Sequence, residues 1–279
     1  MTITARISNV AVERLFEAFL DGEDSPDISN PIHSTEVAHA YGFRAALVGG
    51  VTVWGWCARA IMETLGDRWL ENGWADVHFR QPVYPGDMLT IRVASGQPPH
   101  ALEVANQDGE VCLRGEVSLG AAPWFAELTD SGRRTAEPAP PDLPELTLET
   151  APEGAELRPM AVPYYPEDAA SYAADKQRDS APPWVGPAAR IHPGWIAARM
   201  TPLLKHSYAY GPSIHTRTQV QHLAPALAGQ SITVIGRFIR AYDRHGHHVA
   251  ELDGTLLAES GTEVAKLRHT TIFRPRKVH

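Results

Sequence analysis

The sequence predicts an α+β protein built from two copies of one unit, each an apolar helix followed by antiparallel strands. Three observations lead there. Val48-Gly49-Gly50-Val51-Thr52-Val53-Trp54 finds a counterpart in Ile191-His192-Pro193-Gly194-Trp195-Ile196-Ala197. Pro82-Val83-Tyr84-Pro85-Gly86-Asp87 finds one in Pro225-Ala226-Leu227-Ala228-Gly229-Gln230. Both matches share an offset of 143 residues, which separates Val48 from Ile191 and Gly86 from Gly229 alike. One shift fitting two distant places points to a repeat.

The units are expected over residues 1–120 and 164–279. Between them, 121–163 holds Glu137-Pro138-Ala139-Pro140-Pro141-Asp142, without periodicity, and reads as a Pro-rich linker or long crossing connection. In the first unit an apolar helix is expected from about Val51 to Leu65, with Trp54, Ala58, Ile61 and Leu65 spaced as one buried face requires. Strands follow at Asp76–Phe79, Met88–Val93 and Val111–Leu119, with a hairpin at Gln107-Asp108-Gly109. The second unit repeats the scheme: a helix from Trp195 to Lys205, a strand from Gln230 to Arg240, and a turn at Asp243-Arg244-His245-Gly246. Strands from Val249 to Leu257 and from Thr262 to Phe273 complete it.

The 279 residues are 43% hydrophobic and 21% charged, ordinary for a soluble globular chain with a sizeable core. A formal charge of −8 argues against a nucleic-acid or anionic-membrane surface. Residues 1–9 show no secretory pattern and no apolar run reaches membrane-spanning length, so a cytoplasmic protein is expected. Cys57 and Cys112 lie in apolar stretches without metal-ligand spacing and read as buried thiols of a reducing compartment. Gly-x-Ser-x-Gly, P-loop and dinucleotide fingerprints are absent, which disfavours serine hydrolases, nucleotide-phosphate enzymes and dinucleotide oxidoreductases.

The run Asn30-Pro31-Ile32-His33 puts a histidine at the end of a polar turn, ahead of the glycine pair that opens the first helix. Free N–H groups and the positive dipole end at such a helix start can polarise a carbonyl. These stretches, with Pro82–Asp87, resemble the MaoC-like (R)-specific enoyl-CoA hydratases and dehydratases of the hotdog fold. The resemblance covers most of both halves outside the linker. It implies a double hotdog, in which each long helix is wrapped by a curved antiparallel sheet. It also implies an acyl-CoA or acyl-carrier-protein thioester as substrate; no cofactor, metal, nucleic-acid partner or membrane partner is expected. Monomer and homodimer are both compatible with paired repeats.

In that family an Asp three residues before the Pro works with the His to activate the water that adds across the double bond. Here Ile28 holds that place and Asp27 lies one residue earlier. The second half shows the complementary departure: Asp179 stands three before Pro182, but Trp184 replaces the His. His33 and Asp27 are therefore the candidate catalytic pair, with Asn30, Gly49, Gly50 and Val51 as candidate substrate-binding residues. The N–H groups of Gly50 and Val51 would hold the thioester oxygen. Asp179 and His192 are candidates for a second-repeat site. His215, in Pro212-Ser213-Ile214-His215, reads as a strand start, and Arg244-His245-Gly246-His247-His248 as a solvated hairpin tip rather than a metal tract.

The resulting expectation is a hydratase or dehydratase acting on a 2-enoyl or 3-hydroxyacyl thioester. The alternative is a non-catalytic or repurposed hotdog that binds an acyl group or partner subunit. Thioester hydrolysis and a ring-closing addition belong to the same alternative.

Overall fold

A computed structural model of the chain describes residues 9–20, 22–25 and 29–277. In chain order the first half contains β1 (Val10–Glu17), a 3-10 turn (Pro31–His33) and α1 (Thr35–His39). After these come α2 (Gly50–Trp56), α3 (Ala58–Leu65), α4 (Trp69–Asn72), β2 (Gly73–Phe79), β3 (Met88–Ala94), β4 (His100–Ala105) and β5 (Val111–Leu119). The second half contains β6 (Met160–Tyr164), α5 (Pro166–Ser171), a 3-10 turn (Pro182–Trp184), α6 (Pro193–Ala198) and α7 (Met200–Lys205). It ends with β7 (Ile214–His222), β8 (Gln230–Arg244), β9 (His247–Leu257) and β10 (Glu263–Arg274). The last residues of the Pro-rich stretch, Met160 to Pro163, pair in the sheet as part of β6.

Among the described residues, ten strands form one antiparallel sheet in the order β1-β3-β4-β5-β2-β7-β10-β9-β8-β6. Renumbered within its own half, the second set reads as the first in reverse, so the halves are related by a pseudo-two-fold axis between β2 and β7. The register locates that axis: Asp76 lies opposite Gln219, and these two residues are 143 apart in sequence.

The same offset recurs in the hydrogen bonds that seat each helix entry. Val48 N donates to Val83 O at 2.9 Å, and Ile191 N donates to Ala226 O at 2.8 Å. Gly86 and Gly229 both adopt positive φ, 84° and 90°, where a side chain would be strained. Their N–H groups donate to Ala18 O just after β1 and to Tyr164 O in β6. The Pro-x-x-x-Gly segment is thus one device used twice, tying the end of the first strand to the helix entry. At the β8–β9 hairpin, His245-Gly246 has positive φ at both positions, 56° and 81°, the type I′ geometry that suits a two-residue β-hairpin.

Both expected helices exist, each in two pieces. The first breaks at Cys57, whose N–H bonds three residues back to Trp54 O at 3.0 Å, a 3-10 tightening. The second breaks at Arg199, because Pro202 has no N–H to offer Ala198 O. The buried core lies between these helices and the sheet and includes Trp54, Ile61, Leu89, Leu102, Trp195, Leu203 and Phe238. Among the described residues, no helix is long and apolar enough to cross a membrane.

The α2 and α6 helices meet backbone to backbone. A Cβ on Gly194 would lie 3.0 Å from Gly55 Cα and 2.9 Å from Tyr172 Oη. Gly194→Ala is therefore expected to force the helices apart and to cost about 1–3 kcal/mol as overpacking, read as a lowered urea midpoint. Gly66→Ala, at a position with open space around its Cβ but positive φ, is the control for backbone strain without a helix contact.

Candidate active site at the first helix entry

The site is assembled from the 3-10 turn, the loop before α2 and the start of β7. Pro31 occupies the first position of the turn, where its missing N–H costs nothing, and His33 N closes the turn on Asn30 O at 3.1 Å. Ile32 is buried and packs with Ala38 and Leu47, anchoring the turn. The imidazole of His33 is held at both nitrogens. Its Nδ1 lies 2.7 Å from Leu47 O and its Nε2 lies 3.2 Å from Asn30 Nδ2. A carbonyl only accepts, so the neutral ring carries its proton on Nδ1 and presents the Nε2 lone pair as acceptor.

Asn30 owes its orientation to the other half of the chain. Its Oδ1 accepts from Ser213 N at 3.0 Å and its Nδ2 donates to Ser213 O at 2.9 Å. This pairing settles which amide atom is nitrogen, so Nδ2 is the atom that faces His33. Asn30 thus links the candidate catalytic ring to the start of β7.

Gly49 stands against the ring and Gly50 against Phe79, where an added Cβ would be tight. A Cβ on Gly49 would lie 3.3 Å from Thr52 Oγ1 and 3.7 Å from His33 Cε1, and one on Gly50 would lie 3.2 Å from the Phe79 ring. Thr52 N and Val53 N fold back onto Gly49 O. The N–H groups of Gly50 and Val51 belong to the first turn, which has no intrahelical acceptor to offer. Phe79 in turn touches His215 of β7, their ring centroids 4.9 Å apart, and His215 lies against His269 at 4.1 Å. His215 Nε2 is 2.6 Å from Thr218 Oγ1. His33, Asn30, Gly49 and Gly50 are therefore brought together, with Phe79 and His215 behind Gly50. Asp27 lies outside the described residues.

Asp87 ends the Pro-Gly-Asp turn almost fully buried, accepting from Tyr84 N at 2.9 Å and pairing with Arg44 at 2.5 Å. Arg44 also lies over the Tyr84 ring at 4.2 Å. That clamp fastens the loop that carries Leu47 O to the sheet, and so fixes the acceptor for His33 Nδ1.

The second half arranges the equivalent residues differently. Both oxygens of Asp179 are engaged within its own turn, Oδ1 by Ala181 N at 2.9 Å and Oδ2 by the Trp184 indole N–H at 2.9 Å. His192 caps α6, its Nδ1 accepting from Gly194 N at 3.1 Å, with its ring packed on Trp184 at 4.5 Å. Asp179, Trp184 and His192 are brought together there, around a helix entry without a glycine pair. Burial pushes the His192 imidazole down to about 3. Among the described residues, no group of three or more His, Cys, Asp or Glu is placed to hold a metal ion.

Two expectations follow. Asn30→Ala would leave the N–H and C=O of Ser213, 4% exposed, without their partner. The expected cost is about 2–4 kcal/mol from two orphaned groups, measured by chemical denaturation. The second concerns His192 and His222, both nearly excluded from solvent and held down by burial to about 3 and about 4. Unfolded, each takes up a proton near its ordinary 6.5; folded, neither does until much lower pH. The folded state binds fewer protons in that window, so stability is lost as the pH falls from about 6.5 toward 4, by about 1.4 kcal/mol per pH unit for each ring. Urea midpoints across that range are expected to decline less steeply in His222→Leu than in the wild type.

No family model matches the chain, and no curated protein matches it. Solved structures do. A protein assigned as a MaoC domain dehydratase from Chloroflexus aurantiacus superposes with a TM-score of 0.55 at 16% identity, over 87% of this chain and 86% of that one. A conserved hypothetical protein from Mycobacterium tuberculosis with a double hotdog fold gives 0.60 at 13% identity, over 95% and 96%. A protein assigned as an oleoyl thioesterase from Lactobacillus plantarum gives 0.52 at 10% identity, over 96% and 99%. With its mirrored five-strand halves and two paired helices, the chain is a double hotdog protein whose fold is that of MaoC-like dehydratase structures.

Proposed function

We propose that the first half of this protein adds water to, or removes it from, an acyl thioester bearing a 2-enoyl or 3-hydroxyacyl group on CoA or an acyl carrier protein. The observation that carries the reading is the fixed tautomer of His33: Nδ1–H locked on Leu47 O and Nε2 presented as an acceptor beside the Gly49-Gly50 helix entry. The shared fold with MaoC-like dehydratase structures supports it. Hydration needs a base to take a proton from water, an acid to protonate the α-carbon, and donors for the thioester oxygen as negative charge gathers there. With the Asn30 N–H displaced from Nε2 by the bound water, His33 takes the water proton there while the hydroxyl bonds to the β-carbon. Asp27 is the carboxylate assigned to orient that water. The Gly50 and Val51 N–H groups receive the enolate-like oxygen, and the protonated His33 returns a proton to the α-carbon. Dehydration runs the same steps backward.

The Asp179–Trp184 bond and the His192 cap favour a supporting role for the second half, as wall and scaffold rather than a second reaction centre.

The test follows the ultraviolet absorbance of the conjugated double bond across short, medium and aromatic 2-enoyl-CoAs. The wild type is expected to consume it, and His33→Ala to lose about 10²–10⁴-fold in kcat/KM. Asp27→Asn is expected to fall in the same range while the fold stays intact. Free thiol is measured in parallel: its release with the double bond unchanged would replace this reading with thioester hydrolysis. A folded wild type that alters none of the substrates would leave a binding role in its place.

A further inference from the structure

A cavity of about 440 Å³ opens next to the candidate site, lined by Ser29 and Asn30 of the motif turn, Met160 of β6, and Thr201, Lys205 and His206 around α7. Both halves of the chain build it. Asn30, one of its walls, is also the residue whose amide donates to His33 Nε2. The cavity therefore reaches within one side chain of the candidate catalytic ring.

Lys205 is the charged group in that wall. Its Nζ donates to Ser29 O, and its ammonium lies 5.7 Å from the Tyr210 ring centre. Among the described residues no carboxylate lies within ion-pair distance of it, although Lys266 pairs with Asp130 and Glu263, Arg190 with Glu71, and Arg217 with Asp76. Burial holds the Lys205 ammonium below its ordinary value. One of its three N–H donors is engaged with a neutral carbonyl. A half-buried cation without an anion is unfavourable until something supplies the charge.

Geometry limits what that anion can be. Lys205 Nζ bonds the carbonyl that precedes Asn30, and Asn30 bonds His33, so the ammonium lies within about 12 Å of His33 Nε2. An extended phosphopantetheine arm carries its phosphate roughly 16 Å beyond the sulfur, past the lysine. A carboxylate about three to five carbons beyond the β-carbon falls within reach.

We infer that this cavity receives the far end of the acyl chain and that Lys205 pairs with a terminal carboxylate there, so that the substrate class is the monothioester of a dicarboxylic acid. The inference rests on the thioester reading of His33.

Equilibrium binding of saturated, unreactive thioesters tests it without turnover: adipoyl-CoA against hexanoyl-CoA, and suberoyl-CoA against octanoyl-CoA, by calorimetry. The wild type is expected to bind the carboxylated member of at least one pair tenfold or more tightly. Lys205→Met is expected to reduce that preference to within twofold, and Lys205→Arg to retain it, with melting curves showing both variants folded. Equal binding of both members of each pair, or a preference that survives in Lys205→Met, overturns this inference alone. Binding of none of the four overturns the thioester reading and this inference with it. A final arm compares 4′-phosphopantetheine with pantetheine. A preference for the phosphorylated arm that disappears in Lys205→Met, with no acyl carboxylate preference, assigns Lys205 to the carrier phosphate and overturns the dicarboxylic assignment.

Discussion

The pairing of β2 with β7 is the constraint on which everything else depends. At its centre Asp76 accepts from Arg217 through both oxygens, at 2.9 and 2.6 Å, and from Gln219 Nε2 at 3.0 Å. The pseudo-two-fold axis passes through this cluster, so a carboxylate in one copy faces an amide in the other, and the two halves meet as complements rather than as equals. That pairing carries β7 alongside the first half and delivers Ser213 to Asn30. Without it the first helix entry would have its histidine and its glycines but nothing to orient the amide between them.

The two halves use one scaffold for different ends. Both tie a positive-φ glycine to the first strand and seat the helix lead-in through the same backbone bond. They diverge where chemistry would occur. Gly49 lies against the His33 imidazole and Gly50 against Phe79 at the first helix start. In the second half His192 puts its own ring at the place of Gly49, while Trp184 stands where a histidine would and turns its N–H onto Asp179. The Asp–Trp pair stabilises a turn, with each Asp179 oxygen already accepting one hydrogen bond there.

The architecture is readable from the sequence wherever local rules act on it. The helices show a buried face at three- and four-residue spacing, the hairpins have Gly turns, and the repeat appears as one offset that the register at Asp76 and Gln219 reproduces. Edge strands are harder to read. β1 carries Glu13, Arg14 and Glu17 on largely exposed positions, and β6 includes Pro163, which only an edge tolerates. The helix breaks escape a periodicity argument, because 3-10 tightening at Cys57 leaves the apolar face unchanged. Within the candidate site, His33, Asn30 and the glycine pair are visible from their motif. Leu47 O and Ser213 are not, since a backbone acceptor has no residue-type signature and Ser213 lies 183 residues from Asn30. Lys205 is equally silent in sequence, since only the fold reveals that no carboxylate among the described residues pairs with it.

The Asn30 amide has a consequence for how the two halves communicate. It presents an N–H to His33 Nε2 only while that nitrogen holds a lone pair. Once Nε2 carries a proton, donor faces donor, and the amide is pushed to rotate, which its two bonds to Ser213 oppose. In the reaction proposed above, a proton taken up at Nε2 would therefore load the seam between the repeats, and its release would let that seam settle.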